Sequence, residues 1–133
     1  MADPYDLYLS PAGKEWMYRC HPQPDVRADV AADLVQRILM TRELGPEYAK
    51  LTGKPIWKLR GYDNLWEVRV RHPVTSFRQF FRFTRIAGRR AAVFIDGVQK
   101  NQADLPKHVL DAADRRLDAF VVELAANPSL QQR

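Results

Sequence analysis

Between residues 66 and 83 apolar and charged side chains alternate with a period of two. In LWEVRVR, Trp66, Val68 and Val70 take turns with Glu67, Arg69 and Arg71; in FRQFFRF, Phe77, Phe81 and Phe83 fall on one side and Arg78, Phe80 and Arg82 on the other. An extended chain puts successive side chains on opposite faces, so each run reads as a β-strand with one apolar and one charged face. Ahead of them PIWKLRG reads as a further short strand, with the turn formers GYDN between. AGRR, residues 87–90, reads as a hairpin turn into a last strand, AAVFID.

The period is helical on either side of this block. Val26, Val30, Leu34 and Ile38, with Ala31, Val35 and Leu39 beside them, recur at spacings of three and four; Asp25 is the expected N-cap, and Gly45-Pro46 the stop. Residues 107–124 repeat the pattern with Leu110, Ala113, Leu117, Phe120, Val121 and Leu124, behind Pro106. The opening LYLSPAGKEWMYRC fits a short strand or a helical turn begun by Ser10 and Pro11, ended by HPQP. Strands joined by short turns pair antiparallel. The expected class is therefore α+β: a four-stranded, mostly antiparallel sheet with the N-terminal helices and the C-terminal helix packed on one face.

A chain of 133 residues that is 46% hydrophobic supports one domain, residues 1–133. No apolar run nears the roughly 20 residues that span a bilayer, and MADPYDLYLS lacks the order of a secretory signal, so a cytoplasmic protein without membrane attachment is expected. With Cys20 as the single cysteine, an intramolecular disulfide is excluded. The net charge of +5 is unevenly placed: residues 57–100 hold ten Lys/Arg against three acids, a local +7, and the flanks together −2. Such concentration suits a polyanion, nucleic acid first.

If the apolar face of the sheet lies under the helices, the other face presents Arg69, Arg71, Arg78 and Arg82. Planar guanidiniums grip phosphate oxygens bidentately, and Phe80 between two of them offers a plane for a stacked base. The competing assignments are a solubilising open face for the arginines and packing beneath the N-terminal segment for Phe80. Phosphate-loop and dinucleotide motifs are absent, and His21, His72 and His108 form no metal-ligand pair, so no cofactor or metal is expected. His72, at the end of the strand bearing Arg69 and Arg71, is a candidate proton carrier, with His108 a weaker second.

Taken together, WKLRG, LWEVRVR, FRQFFRF and FIDGVQKNQADLP followed by a helix with DAADRR resemble the RelE/ParE superfamily of toxins, most closely its HigB-like, phage-derived branch. That branch has an "lwELR" strand, a "yRv" or "fRv" strand, and a last strand running into a K-x-Q-x-x-x-P segment that opens the C-terminal helix. The resemblance is strongest over residues 54–120. It implies a RelE-like fold and the toxin of a type II toxin-antitoxin pair: a metal-independent endoribonuclease that cuts mRNA on the ribosome, partnered by a helix-turn-helix antitoxin. Carried over by motif, the catalytic positions are Arg69, Arg78 and Lys100; RNA-binding positions suggested by the sheet and adjoining segment are Arg71, Arg82, Phe80, Asn101, Gln102 and His72.

The departures concern the base. Relatives carry a tyrosine or histidine just after the last strand where this chain reads NQADL, paired lysines where it has Gln99 and Lys100, and a threonine where it has Leu105. Two other activities therefore stay open: a ParE-like toxin inhibiting DNA gyrase without nuclease action, and an RNA-binding relative with weakened catalysis.

Overall fold

The computed structural model describes residues 4–100 and 105–127. Along the chain lie β1 (Asp6–Leu9), α1 (Pro11–Arg19), α2 (Pro24–Leu44), a 3-10 helix (Gly45–Lys50), β2 (Ile56–Lys58), β3 (Trp66–Arg71), β4 (Ser76–Ile86), β5 (Arg89–Gln99) and α3 (Lys107–Ala126). The strands form one five-stranded sheet in the order β1-β5-β4-β3-β2. The expected four antiparallel strands are all present, but β1 adds a fifth, parallel to β5 with Asp6 opposite Ala91 and Leu9 opposite Phe94. Both alternatives for the opening segment occur in succession: the strand ends at Leu9, and Ser10 then caps α1 by accepting from the Gly13 N–H at 2.9 Å, with Pro11 in the first helical turn.

The helices do not share a face. Val26, Val30 and Leu34 of α2 and Met17 of α1 pack with Val68, Val70, Phe77, Phe81 and Phe94, whereas Ala113, Leu117, Phe120 and Leu124 of α3 pack with Phe80, Val93 and Ile95. The sheet is thus the middle of three layers, which corrects the expected two. Its signature lies in Ala91-Ala92-Val93-Phe94-Ile95, five successive apolar residues none more than 3% exposed. A strand that is apolar on both faces is covered on both. Two details of α2 also differ from expectation. It begins at Pro24 behind Gln23, with Asp25 in the first turn and not at the cap, and Val35 and Leu39 are half exposed. The Gly45 stop is as expected: its φ is 60° and its N–H donates to the Thr41 carbonyl.

The β4–β5 hairpin positions the site. Ile86 pairs with Arg89 around Ala87 and Gly88, both at positive φ, the backbone demanded by a two-residue turn. Farther along, Phe81 pairs with Phe94 but Gln79 with Gly97, so β5 carries one extra residue, a β-bulge. A Cβ at Gly97 would fall 1.9 Å from the Arg78 carbonyl oxygen, so only glycine fits where the two backbones close up. Beyond the bulge Val98 pairs with Arg78, and the Lys100 N–H donates to the Ser76 carbonyl at 2.8 Å.

A basic cluster at one end of the sheet

Cross-strand register collects the charged side chains. Glu67 lies opposite Phe80, Arg69 opposite Arg78, and Arg71 opposite Ser76, with Val98 and Lys100 continuing the last two rows on β5. Paired residues share a face, rows on that face are about 7 Å apart, and strands about 4.8 Å. Arg69, Arg71, Arg78 and Lys100 therefore occupy one corner of the face on which α3 packs. The shared face inferred from the alternation of residues holds.

What covers that face sorts the residues. Phe80 is completely buried and packs in the α3 core, so it offers no ring to a base; this overturns its expected stacking role and supports the packing alternative, though under α3 and not the N-terminal segment. Arg82 is taken up by α3: its Nη2 lies 2.8 Å from Asp114 Oδ1 and its Nη1 2.6 Å from Asp118 Oδ1. It clamps the helix to the sheet, which replaces its expected RNA contact. Arg116 and Asp96 make a second such clamp at 2.8 Å. His72 is also withdrawn, since its Nδ1 accepts from the Val74 N–H at 3.2 Å and its Nε2 faces Asp29 of α2 at 3.4 Å. An Nδ1 that accepts leaves the proton on Nε2, pointing to α2 and away from the cluster. Asn101 and Gln102 lie outside the described residues.

The remaining four cations differ in their environment. Arg71 is exposed, Lys100 half-buried, and neither has an ion-pair or side-chain hydrogen-bond partner among the described residues. Arg78 is buried at 6% exposure. Glu67, on the charged face of β3, is completely buried; its Oε1 accepts from Arg69 Nε at 2.7 Å and stands 3.6 Å from Arg78 Nη1. One carboxylate thus fixes two guanidiniums in relation to each other. Its Oε2 makes no hydrogen bond among the described residues.

The cluster opens sideways into a cleft of about 530 Å³, lined by Arg37, Gly53, Lys54, Trp57, Arg69 and Arg71. The Lys54 ammonium and the Arg69 guanidinium lie 4.7 and 4.8 Å from the centre of the Trp57 ring. Each such contact contributes about 0.5–1 kcal/mol at an exposed site. Arg37, Lys54 and Trp57 were not singled out from the sequence. WKLR shows a tryptophan among cations, but Arg37 arrives from α2 and only the fold brings it there. Among the described residues no group of three or more His, Cys, Asp or Glu is placed to hold a metal ion.

At one corner of an α+β sheet the fold thus gathers four cations, with Arg71 exposed, Lys100 half-buried and Arg78 buried. The match of a family model sharpens this: the chain belongs to the phage-derived protein Gp49-like family (DUF891), which covers residues 23–118, more than two thirds of its length. This is a family of the RelE toxin type, associated with the toxins of toxin-antitoxin systems. The match takes in α2 as well as the strand block. No curated protein and no solved structure matches the chain significantly. No described helix is long and apolar enough to cross a membrane.

Proposed function

We propose that this protein is the toxin of a type II toxin-antitoxin pair and cleaves RNA at the corner formed by Arg69, Arg71, Arg78 and Lys100. The carrying observation is the register that gathers four cations from β3, β4 and the end of β5. In the reaction, the substrate's 2′-hydroxyl gives up its proton to water, and its oxygen forms a bond to the adjacent phosphorus as the bond to the 5′-oxygen breaks. The products are a 2′,3′-cyclic phosphate and a 5′-hydroxyl. Arg69 and Arg78, held by Glu67, stabilise the extra negative charge on the phosphorane oxygens; Lys100 gives a proton to the departing oxygen. Arg71 binds a neighbouring phosphate. Translated mRNA on the ribosome is the substrate class that the resemblance to HigB-like toxins supports, and a small helix-turn-helix antitoxin the partner.

Induced expression with pulse labelling tests this. Protein synthesis is expected to stop before DNA synthesis, and Lys100→Ala and Arg71→Ala, both at accessible positions, are expected to restore growth while remaining folded. Replication stopping first would favour a gyrase-directed, non-nucleolytic toxin. The withdrawal of His72 and Phe80 from the cluster favours a second reading, an RNA-binding relative with weakened cleavage. Unchanged growth on expression of wild type, together with RNA binding, would select it.

A further inference from the structure

We infer that the cleft between α2 and the edge of the sheet is a second RNA subsite, which holds the strand where it runs on from the scissile phosphate. The inference rests on RNA being the ligand of the neighbouring cluster, but not on cleavage. Four cations line this cleft, Arg37, Lys54, Arg69 and Arg71, and none of the described lining residues is acidic. Among the described residues Arg69 is the one cation of the cleft in an ion pair, and its carboxylate, Glu67, is buried behind it. Lys54 and Arg69 repel each other, yet both are drawn to the same Trp57 ring, whose quadrupole holds them within 5 Å of one centre. Lys54 is also fixed by its backbone, at a φ of 45° that few residues other than glycine adopt. The Arg37 Nε is buried without a hydrogen bond among the described residues.

Four like charges that share one carboxylate, itself buried behind Arg69, leave a surplus of positive charge suited to an anion. The volume of about 530 Å³ lies within the roughly 300–1,000 Å³ of small-ligand sites. It thus has room for a nucleotide and not merely a single ion. Because Arg69 and Arg71 belong to both the cleft and the cluster, a strand bound in one is delivered to the other. Trp57 is a positioning residue here, arranging the cations and not itself stacking on a base. An extended phosphodiester chain fits two adjoining basic sites that share a wall.

The test is the binding of a fluorescein-labelled, fully 2′-O-methylated single-stranded RNA, which cannot be cut, measured by anisotropy at several salt concentrations. Lys54 is exposed, so Lys54→Gln should fold normally. The expected result is affinity lower by about tenfold, as for loss of one charge-assisted contact. The slope of log affinity against log salt should become shallower by about 0.7, the value for one phosphate on a single strand. Trp57→Leu should weaken binding and Trp57→Phe restore part of it, because a ring still holds the cations. Affinity and slope unchanged in Lys54→Gln would overturn the subsite, whether or not the protein cleaves RNA. An acidic peptide that displaced the RNA and lost more affinity in Lys54→Gln would overturn it in favour of a protein ligand. Weakened binding in a protein that cuts no RNA would sustain the subsite and remove only the nuclease reading.

Discussion

Glu67 shows how one side chain can serve both the fold and the site. A carboxylate fully removed from water is stabilised only by the charges beside it, and here these are the two arginines expected to meet phosphate. Glu67→Ala leaves Arg78 buried without that partner and should lower the free energy of unfolding by about 3–5 kcal/mol in urea titrations. The double variant Glu67→Leu with Arg78→Met should recover much of the loss while remaining inactive on RNA. A second residue-scale expectation concerns alkali. Burial and the hydrogen bond to Asp111 push the Tyr62 hydroxyl up to about 12 from its ordinary 10. In the unfolded chain it ionises first, so its contribution to stability is complete below pH 10 and is lost between pH 10 and about 12. Tyr62→Phe should therefore flatten the dependence of Tm on pH across that window. Asp111 works on the opposite limb. Hydrogen bonds from Lys107 and Tyr62 hold its carboxyl below the usual carboxylate range, so its contribution is present above pH 3.8 and fades as pH falls below it.

At the scale of elements, the bulge in β5 brings Val98 and Lys100 into register with Arg78 and Ser76. Gly97→Ala must push apart two backbones that now meet. It should cost about 1–3 kcal/mol of stability and reduce RNA cleavage more than that loss explains, by displacing Arg78 and Lys100 together. Phe80→Ala, in contrast, opens a cavity under α3 and should cost about 3–5 kcal/mol in calorimetry or urea without altering the salt dependence of RNA binding. The strands, their turns and the two long helices were legible because amphipathic periods of 2 and 3.6 record which side chains meet the core. That α3 lies across the arginine face was harder to see. Arg82 reads as a solvated residue until Asp114 and Asp118, over thirty positions later, are brought against it. The parallel pairing of β1 with β5 likewise joins segments some eighty residues apart, which no local pattern announces.

For the molecule as a whole, the excess of positive charge in residues 57–100 is divided by the fold into two parts. Arg82 is consumed by α3 and Arg89 by Asp6, whereas Arg69, Arg71, Arg78 and Lys100 gather at the sheet corner, and Arg69 and Arg71 also line the cleft. The sequence motifs located Arg69, Arg78 and Lys100, but the cleft depends on α2 reaching the sheet edge, a matter of packing. Cleavage at this corner through the substrate's own 2′-hydroxyl is read from the ends of mRNA mapped after induction. New internal 5′ ends that bear a hydroxyl, opposite 2′,3′-cyclic phosphates, are expected with wild type and should fall by about a hundredfold or more in Lys100→Ala. Intact mRNA during growth arrest, or cutting by Lys100→Ala and Arg71→Ala as extensive as that by wild type, would contradict it.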